Sequence, residues 1–214
     1  ETGARHLLDP LVKHAPTLVS PEAEGRARRI DFLVRAIDVA RDLGAGCVSL
    51  WSGAATDHAD EEVLWERLVG GLATVLDHAG ARGVMVGFEP EPGMFVDTLP
   101  RVGSLVERLG CPARLGLTVD VGHLECMGER PATVLEDWSG RIVNVHVDDM
   151  LACRHEHLPL GDGDVAFRDV FAALAAGGYT GGLHVELPRQ ADRWADTARR
   201  SADFLRPLLQ ARDV

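Results

Sequence analysis

The sequence contains no uninterrupted apolar run of about eighteen residues, the length at which a membrane-spanning helix becomes a candidate. Its first residues, Glu1 to His6, lack the basic start and the apolar stretch of a secretory signal peptide. The four cysteines are scattered without C-x-x-C spacing, which favours reduced thiols in a cytoplasm over a disulfide framework. We therefore expect a cytoplasmic protein with no membrane partner.

Clustered positive charge is also missing. The formal net charge is −11 in 214 residues, and no long run of lysine or arginine occurs. A nucleic-acid partner is disfavoured, because binding to phosphates requires basic side chains grouped on one surface. The phosphate-binding loop G-x-x-x-x-G-K-[ST] is absent as well, so the sequence leaves open whether a substrate carries phosphate.

Short apolar runs alternate with longer amphipathic runs along the chain, which is the pattern of repeated βα units. The continuous apolar runs predict parallel strands that are covered on both faces. No repeat, linker or low-complexity tract interrupts the chain, so we predict a single α/β domain over residues 1–214. The predicted strands are Cys47–Trp51, Val84–Phe88, Leu115–Val119, Ile142–Val145 and Gly182–Val185.

Four of the five predicted strands lead directly to a residue that can bind a metal ion: Glu89, Asp120, His146 and Glu186. In a barrel of parallel strands, the carboxyl ends lie on one face, and this face holds the active site. Two glutamates, an aspartate and an imidazole suit Mn²⁺, Mg²⁺ or Co²⁺, and Zn²⁺ is also compatible. Any one of them alone is better explained as a helix cap or a surface charge. Four at the same topological position predict a site.

More polar side chains follow the same strand ends: His123, Asp148, Asp149, His155 and His157. The last two precede the glycine-rich turn Leu160–Asp164, whose backbone amides could approach a ligand. A solvated loop explains the histidine pair equally well. The turn could also serve only to position Asp164 as the cap of the next helix.

The order of these segments resembles the xylose-isomerase-like superfamily of sugar phosphate isomerases and epimerases. The matching segments are Gly87–Pro90, Val119–His123, Asn144–Asp149, His157–Gly163 and Gly178–Glu186. The resemblance begins near Arg28 and implies a TIM (β/α) barrel. It implies that Glu89, Asp120, His146 and Glu186 bind one divalent cation, with Glu89 and Glu186 also acting as acid and base. His123 is expected to contact substrate, and we expect the same of His155, His157 and Trp51.

The reaction implied by this resemblance is proton transfer next to a carbonyl of a sugar or cyclitol. The divalent metal would stabilise the enediolate, while one glutamate removes the α-proton and the other returns it. The result is isomerisation or epimerisation. The superfamily barrel has eight strands, so this chain is expected to lack about three N-terminal strands, with Glu1 near the end of the third. A homo-oligomer stays open.

Three other functions stay open. A lyase or dehydratase on the same barrel would use the same metal and base to expel a β-hydroxyl group. An abasic-site endonuclease-like hydrolase shares several of the motifs, but Trp51 stands where that family has histidine and His155 where it has aspartate. The acidic net charge also disfavours it. The third is a catalytically silent partner subunit, because a fold does not fix a function.

Overall fold

The computed structural model describes residues 2–3 and 6–210. The chain divides into two compact units, residues 1–117 and residues 118–214. The expectation of one domain over the whole chain stays a prediction. The expected position of Glu1 near the end of a strand lies outside the described residues.

The first unit consists of alternating helices and parallel strands. Its elements are α1 (Ala23–Asp42), β1 (Cys47–Leu50), α2 (Glu61–Arg82), β2 (Met85–Phe88), α3 (Leu99–Arg108) and the start of β3 (Leu115–Asp120). β1 pairs in parallel with β2, and β2 pairs in parallel with β3. Each parallel pair requires a crossover connection, and α2 and α3 supply the two crossovers.

Close packing between α1 and α2 forms much of the core of the first unit. Leu33 and Ile37 of α1 are buried, as are the apolar residues along one side of α2. Gly71 permits the close approach, because a Cβ atom there would lie 3.0 Å from Leu18 Cδ2 and 3.6 Å from Ile30 Cδ1. A larger residue at this position would force the packed side chains to move.

The second unit begins within β3 and contains the remaining elements. These are α4 (Val121–Cys126), α5 (Pro131–Trp138), β4 (Ile142–Val147), β5 (Asp149–Leu151), β6 (Arg154–Leu158), α6 (Phe167–Ala176), β7 (Leu183–Val185) and α7 (Trp194–Gln210). β4 pairs in parallel with β7, and β5 forms an antiparallel hairpin with β6. The Phe167 ring of α6 contacts the Phe204 ring of α7 edge-on, with centroids 5.2 Å apart.

All five predicted strands are present, with boundaries that differ by no more than two residues from those expected. The hairpin and α4 were not predicted. β6 reads Arg-His-Glu-His-Leu, which carries no apolar alternation. Of the two interpretations left open for His155 and His157, the loop was wrong because both lie in a strand, although His155 is exposed to solvent. Within the described part of the chain, no helix is both long and apolar enough to cross a membrane.

Candidate metal centre and active site

Asp120 lies at the junction of a strand and a helix in the second unit. It is the last residue of β3 and the N-cap of α4, where its Oδ1 accepts the His123 N–H at 2.9 Å. Its Oδ2 is buried, and no described donor reaches it with hydrogen-bond geometry, although the Asp148 carboxyl is a close neighbour. Burial alone would raise the pKa of Asp120. The adjacent His123 and the hydrogen bonds outweigh this effect and hold the pKa below its usual value.

His146 and Glu186 form a contact pair beside this carboxylate. His146 Nδ1 lies 2.9 Å from Glu186 Oε2, and its Nε2 lies 3.0 Å from the Asn144 side-chain amide. The Glu186 N–H donates to the Val147 carbonyl at 3.1 Å, which fixes Glu186 next to the end of β4. Burial acts to raise the pKa of Glu186, but the hydrogen bond from His146 prevails and lowers it.

Asp120, His146 and Glu186 together form a compact set of potential metal ligands. One ligand atom from each lies within 4.8 Å of the others. Two ligands on opposite sides of one divalent ion would span roughly 4.4 Å, at about 2.2 Å each. The set therefore has a spacing that one ion could bridge, and an ion there would give the buried Asp120 Oδ2 a partner. These residues would hold an ion through two oxygens and one nitrogen.

Asp148 and His157 form a second buried contact in the same unit. Asp148 Oδ2 lies 2.6 Å from His157 Nδ1, while Asp148 Oδ1 accepts the Gly122 N–H at 3.1 Å. Burial and the neighbouring charge of Asp120 raise the pKa of Asp148 to about 11. Only glycine fits at position 122, because a Cβ atom would overlap the Asp148 carboxyl and lie 2.8 Å from Met150 Cγ.

Three histidine rings meet next to this pair. His123 extends from α4, and His155 and His157 extend from one face of β6 because strand side chains alternate with a period of two. The ring centroids are 5.0 Å apart for His123 and His155, 5.5 Å for His123 and His157, and 5.3 Å for His155 and His157. His155 is partly exposed, but the burial of its ring, followed by the two neighbouring imidazoles, lowers its pKa to about 4. Burial also lowers the pKa of His157.

Asp149 has a structural role in the described chain. Its Oδ1 accepts the N–H groups of Met150 and Val165, each at 3.1 Å, and its Oδ2 accepts the Gly161 N–H at 2.8 Å. The glycine-rich turn therefore directs the Gly161 amide to this carboxylate, and Val165, the residue after the turn, directs a second. The alternative expectation for Asp164 was wrong, because the N-cap of α6 is Ala166.

Two residues predicted for the site belong to the first unit. Glu89 follows β2 directly, is 3% exposed, and donates its N–H to the Leu50 carbonyl at 2.8 Å. Trp51 follows β1, and the Arg29 guanidinium lies 5.2 Å from its ring centroid. Their roles as ligand, base and substrate contact stay predictions.

Within the second unit, the structure brings together six of the predicted site residues: Asp120, His123, His146, His155, His157 and Glu186. Sequence reasoning did not single out Asn144, whose side chain contacts His146, or Gly122, which makes room for Asp148. The two-residue spacing of Asn144 and His146 was an available signal, because such residues share one face of a strand.

A protein-family model described as "xylose isomerase-like TIM barrel" matches residues 5–208 of the chain. The chain belongs to this family. A curated relative is the 3-dehydroshikimate dehydratase of Pseudomonas putida, which is 30% identical over 191 residues, covering 85% of this chain. The chain spans 29% of the length of that relative.

Solved structures show the same fold. A D-tagatose 3-epimerase-like protein has a TM-score of 0.78 and 21% identity, with 93% of this chain and 76% of the other chain covered. The IOLI protein, solved with a zinc atom bound, has a TM-score of 0.77 and 18% identity, with 91% and 74% covered.

Proposed function

We propose that the chain belongs to a divalent-metal-dependent lyase that removes water from a hydroxylated ketone, such as a keto sugar or a keto cyclitol. The observation that carries this proposal is the compact set Asp120, His146 and Glu186, with three histidines beside it. A proton next to a carbonyl becomes acidic when the carbonyl oxygen is polarised. The site offers both a place for a polarising ion and a carboxylate within reach of it.

A divalent ion at this set would act as a Lewis acid on the substrate carbonyl and stabilise the negative charge that develops on its oxygen. Asp120 and His146 would hold the ion, and the Asn144 amide beside His146 Nε2 would fix the orientation of that ring. Mn²⁺, Mg²⁺ and Co²⁺ suit this donor set, and the zinc atom bound by the IOLI protein supports a metal ion in a protein of this fold.

Glu186 is the base in this proposal. Its side chain is 35% exposed, so its carboxylate is accessible to a substrate, whereas the Asp120 carboxylate is buried. Its lowered pKa makes it a modest base, which is sufficient only for a carbon acid that is already activated. Loss of the α-proton and of the β-hydroxyl forms a C=C bond, and the proton held by Glu186 can leave with the hydroxyl as water.

The three histidines supply the groups that bind substrate oxygens. Because their surroundings keep His155 and His157 uncharged near neutral pH, each ring offers one N–H donor and one acceptor nitrogen. Hydrogen bonds from these rings would hold the hydroxyl groups of a polyol and orient its C–H bond toward Glu186. The Pseudomonas putida dehydratase supports the loss of water as the reaction.

Epimerisation is the second candidate. The D-tagatose 3-epimerase-like structure supports it, as does the sequence position of Glu89 at the end of a strand. Epimerisation requires a second base that returns the proton to the opposite face of the carbon, and Glu89 would have that role. Abasic-site hydrolysis and a silent partner subunit are less well supported, because neither accounts for the relationship to a dehydratase.

One experiment separates the two reactions. The metal-loaded protein is incubated with a panel of keto sugars and keto cyclitols in D₂O. Dehydration forms an unsaturated ketone with new ultraviolet absorbance, whereas epimerisation places deuterium at the α-carbon without loss of water. We expect dehydration, and we expect E186Q to lower its rate by about 10² to 10⁴, the usual effect of removing a general base.

E136Q is the matched control, because Glu136 is an exposed residue of α5. It should retain the wild-type rate. Deuterium uptake without loss of water would contradict the lyase proposal and support epimerisation instead. A wild-type rate in metal-loaded E186Q would rule out Glu186 as the base.

A further inference from the structure

Two of the four cysteines lie next to each other in the second unit, and both are free thiols. Cys126 is the last residue of α4, and Cys153 lies in the short turn between β5 and β6. The Cys153 N–H donates to the Cys126 carbonyl at 3.0 Å. This carbonyl belongs to the last turn of α4, where backbone oxygens have no partner inside the helix. The hydrogen bond therefore holds the turn of the hairpin against the end of α4.

This backbone contact limits the distance between the two α-carbons. The bonds along the path are about 1.46 Å for N–Cα, about 1.23 Å for C=O and about 1.52 Å for Cα–C. Together with the 3.0 Å hydrogen bond they span about 7.2 Å in a straight line, and normal bond angles shorten the span to about 5–6.5 Å. Disulfides join α-carbons about 4.4–6.8 Å apart, so the backbone places Cys126 and Cys153 within bridging distance.

The two thiols have different surroundings. Cys126 is 6% exposed, whereas Cys153 is exposed to solvent. Burial raises the pKa of the Cys126 thiol, and the neighbouring Cys153 sulfur adds to this effect. Because oxidation of a thiol depends on its thiolate character and its accessibility, an oxidant reacts first with Cys153. Cys126 is then the second thiol, which lies beside the first and resolves its oxidised form.

We propose that Cys126 and Cys153 form an oxidation site, at which a peroxide converts the two thiols into an intramolecular disulfide. The Cys153 thiolate attacks a peroxide oxygen and becomes a sulfenic acid. The O–O bond breaks, and the leaving oxygen takes up the proton that the thiol released, giving water or an alcohol. The Cys126 sulfur then attacks the Cys153 sulfur. The S–S bond forms, the S–O bond breaks, and the Cys126 proton leaves with the hydroxyl as water.

The disulfide would connect the end of α4 to the turn of the hairpin. His123 belongs to α4 and His155 to β6, so the bond would restrain the two elements that bring these rings together. A crosslink between Cys126 and Cys153 also restricts the unfolded chain. The oxidised protein should therefore unfold at a higher urea concentration than the reduced protein, and a dithiol reductant should reverse this shift.

Thiol counting and peptide mapping test the proposal. Reduced protein is treated with a small molar excess of hydrogen peroxide and digested without a reductant. The number of titratable thiols should fall from four to two, and one linked pair of peptides should contain Cys126 and Cys153. An unchanged thiol count, or a link that involves Cys47 or Cys111, would overturn the proposal.

Variants assign the order of the two steps. C126A should accumulate a sulfenic acid at Cys153 that dimedone traps, because the resolving thiol is absent. C153S should retain the Cys126 thiol and form no link within the chain, which keeps the test decisive if C126A does not fold. C111S is the matched control, because Cys111 is also exposed and shares a positive φ of 56°, but it lies in the first unit. It should form the same linked pair as the wild type.

The outcomes are independent of the reaction proposed above, because no readout uses dehydration or a bound metal. A monomeric band in non-reducing electrophoresis, together with the linked pair, supports the site. A covalent dimer joined through Cys153 would overturn it and leave the lyase proposal intact.

Discussion

Asp149 should be a determinant of stability and not a metal ligand, although it lies three residues from His146 in the sequence. Its side chain is 1% exposed and accepts three backbone N–H groups, from Met150, Gly161 and Val165. Two of these donors belong to the turn between β6 and α6, so one carboxylate joins this turn to the start of the hairpin. D149A removes every acceptor, and D149N removes only one oxygen.

The expected losses follow from the number of donors left without a partner. A buried N–H without an acceptor costs about 1–3 kcal/mol. D149A leaves the buried N–H groups of Met150 and Val165 without this acceptor, which predicts a loss of about 2–6 kcal/mol in the free energy of unfolding. D149N retains an acceptor for both and presents an NH₂ group only to the exposed Gly161, which predicts a smaller loss of about 1 kcal/mol.

Urea denaturation followed by circular dichroism measures these differences through the transition midpoint. D162A is the control, because the Asp162 side chain is exposed and forms an ion pair with Arg200, and it should change the free energy of unfolding by no more than about 0.5 kcal/mol. A stable D149A protein that has lost Mn²⁺ binding would refute the reasoning, since that result would make Asp149 a ligand.

Two further predictions concern close packing and a buried cation. G122A should lower the free energy of unfolding in urea by about 1–3 kcal/mol, because a Cβ atom there overlaps Asp148. G140A is the control, because the added atom meets nothing within 4 Å, and it should match the wild type. R29M should lower the free energy of unfolding, measured by urea denaturation, by about 2–4 kcal/mol. Arg29 is 3% exposed and donates hydrogen bonds to three carbonyl oxygens. R35M alters an exposed side chain and should leave the free energy of unfolding nearly unchanged. Equal losses in the two arginine variants would contradict the claim that burial makes Arg29 important for stability.

The parallel strands were predictable because each is a continuous apolar run bounded by turn residues. Leu115–Asp120 is buried at every position, so its sequence carries no polar alternation and indicates a covered strand. The sequence of the β5–β6 hairpin contains no such apolar run. β6 is polar along its length and only partly buried, and its antiparallel pairing with β5 depends on contacts that a local pattern does not contain.

The grouping of the candidate ligands was predictable from topology, since parallel strands bring their carboxyl ends together wherever the connections permit it. Asp120, His146 and Glu186 lie close together within the second unit, and their role as metal ligands stays a prediction. The roles of Asp148 and Asp149 were not predictable. The two residues are adjacent in sequence and equally buried, yet one contacts His157 while the other accepts backbone amides of a turn twelve or more residues away. Only the path of the hairpin and turn decides between these roles.

The most direct test of the metal centre is Mn²⁺ binding measured by electron paramagnetic resonance, combined with the activity of chelator-stripped protein. We predict one tightly bound Mn²⁺ per chain in the wild type, loss of that ion in D120N, and activity that disappears on stripping and returns with Mn²⁺ or Co²⁺. Full activity in metal-free protein, or unchanged Mn²⁺ binding in D120N, would contradict the assignment of Asp120, His146 and Glu186 as the catalytic metal centre.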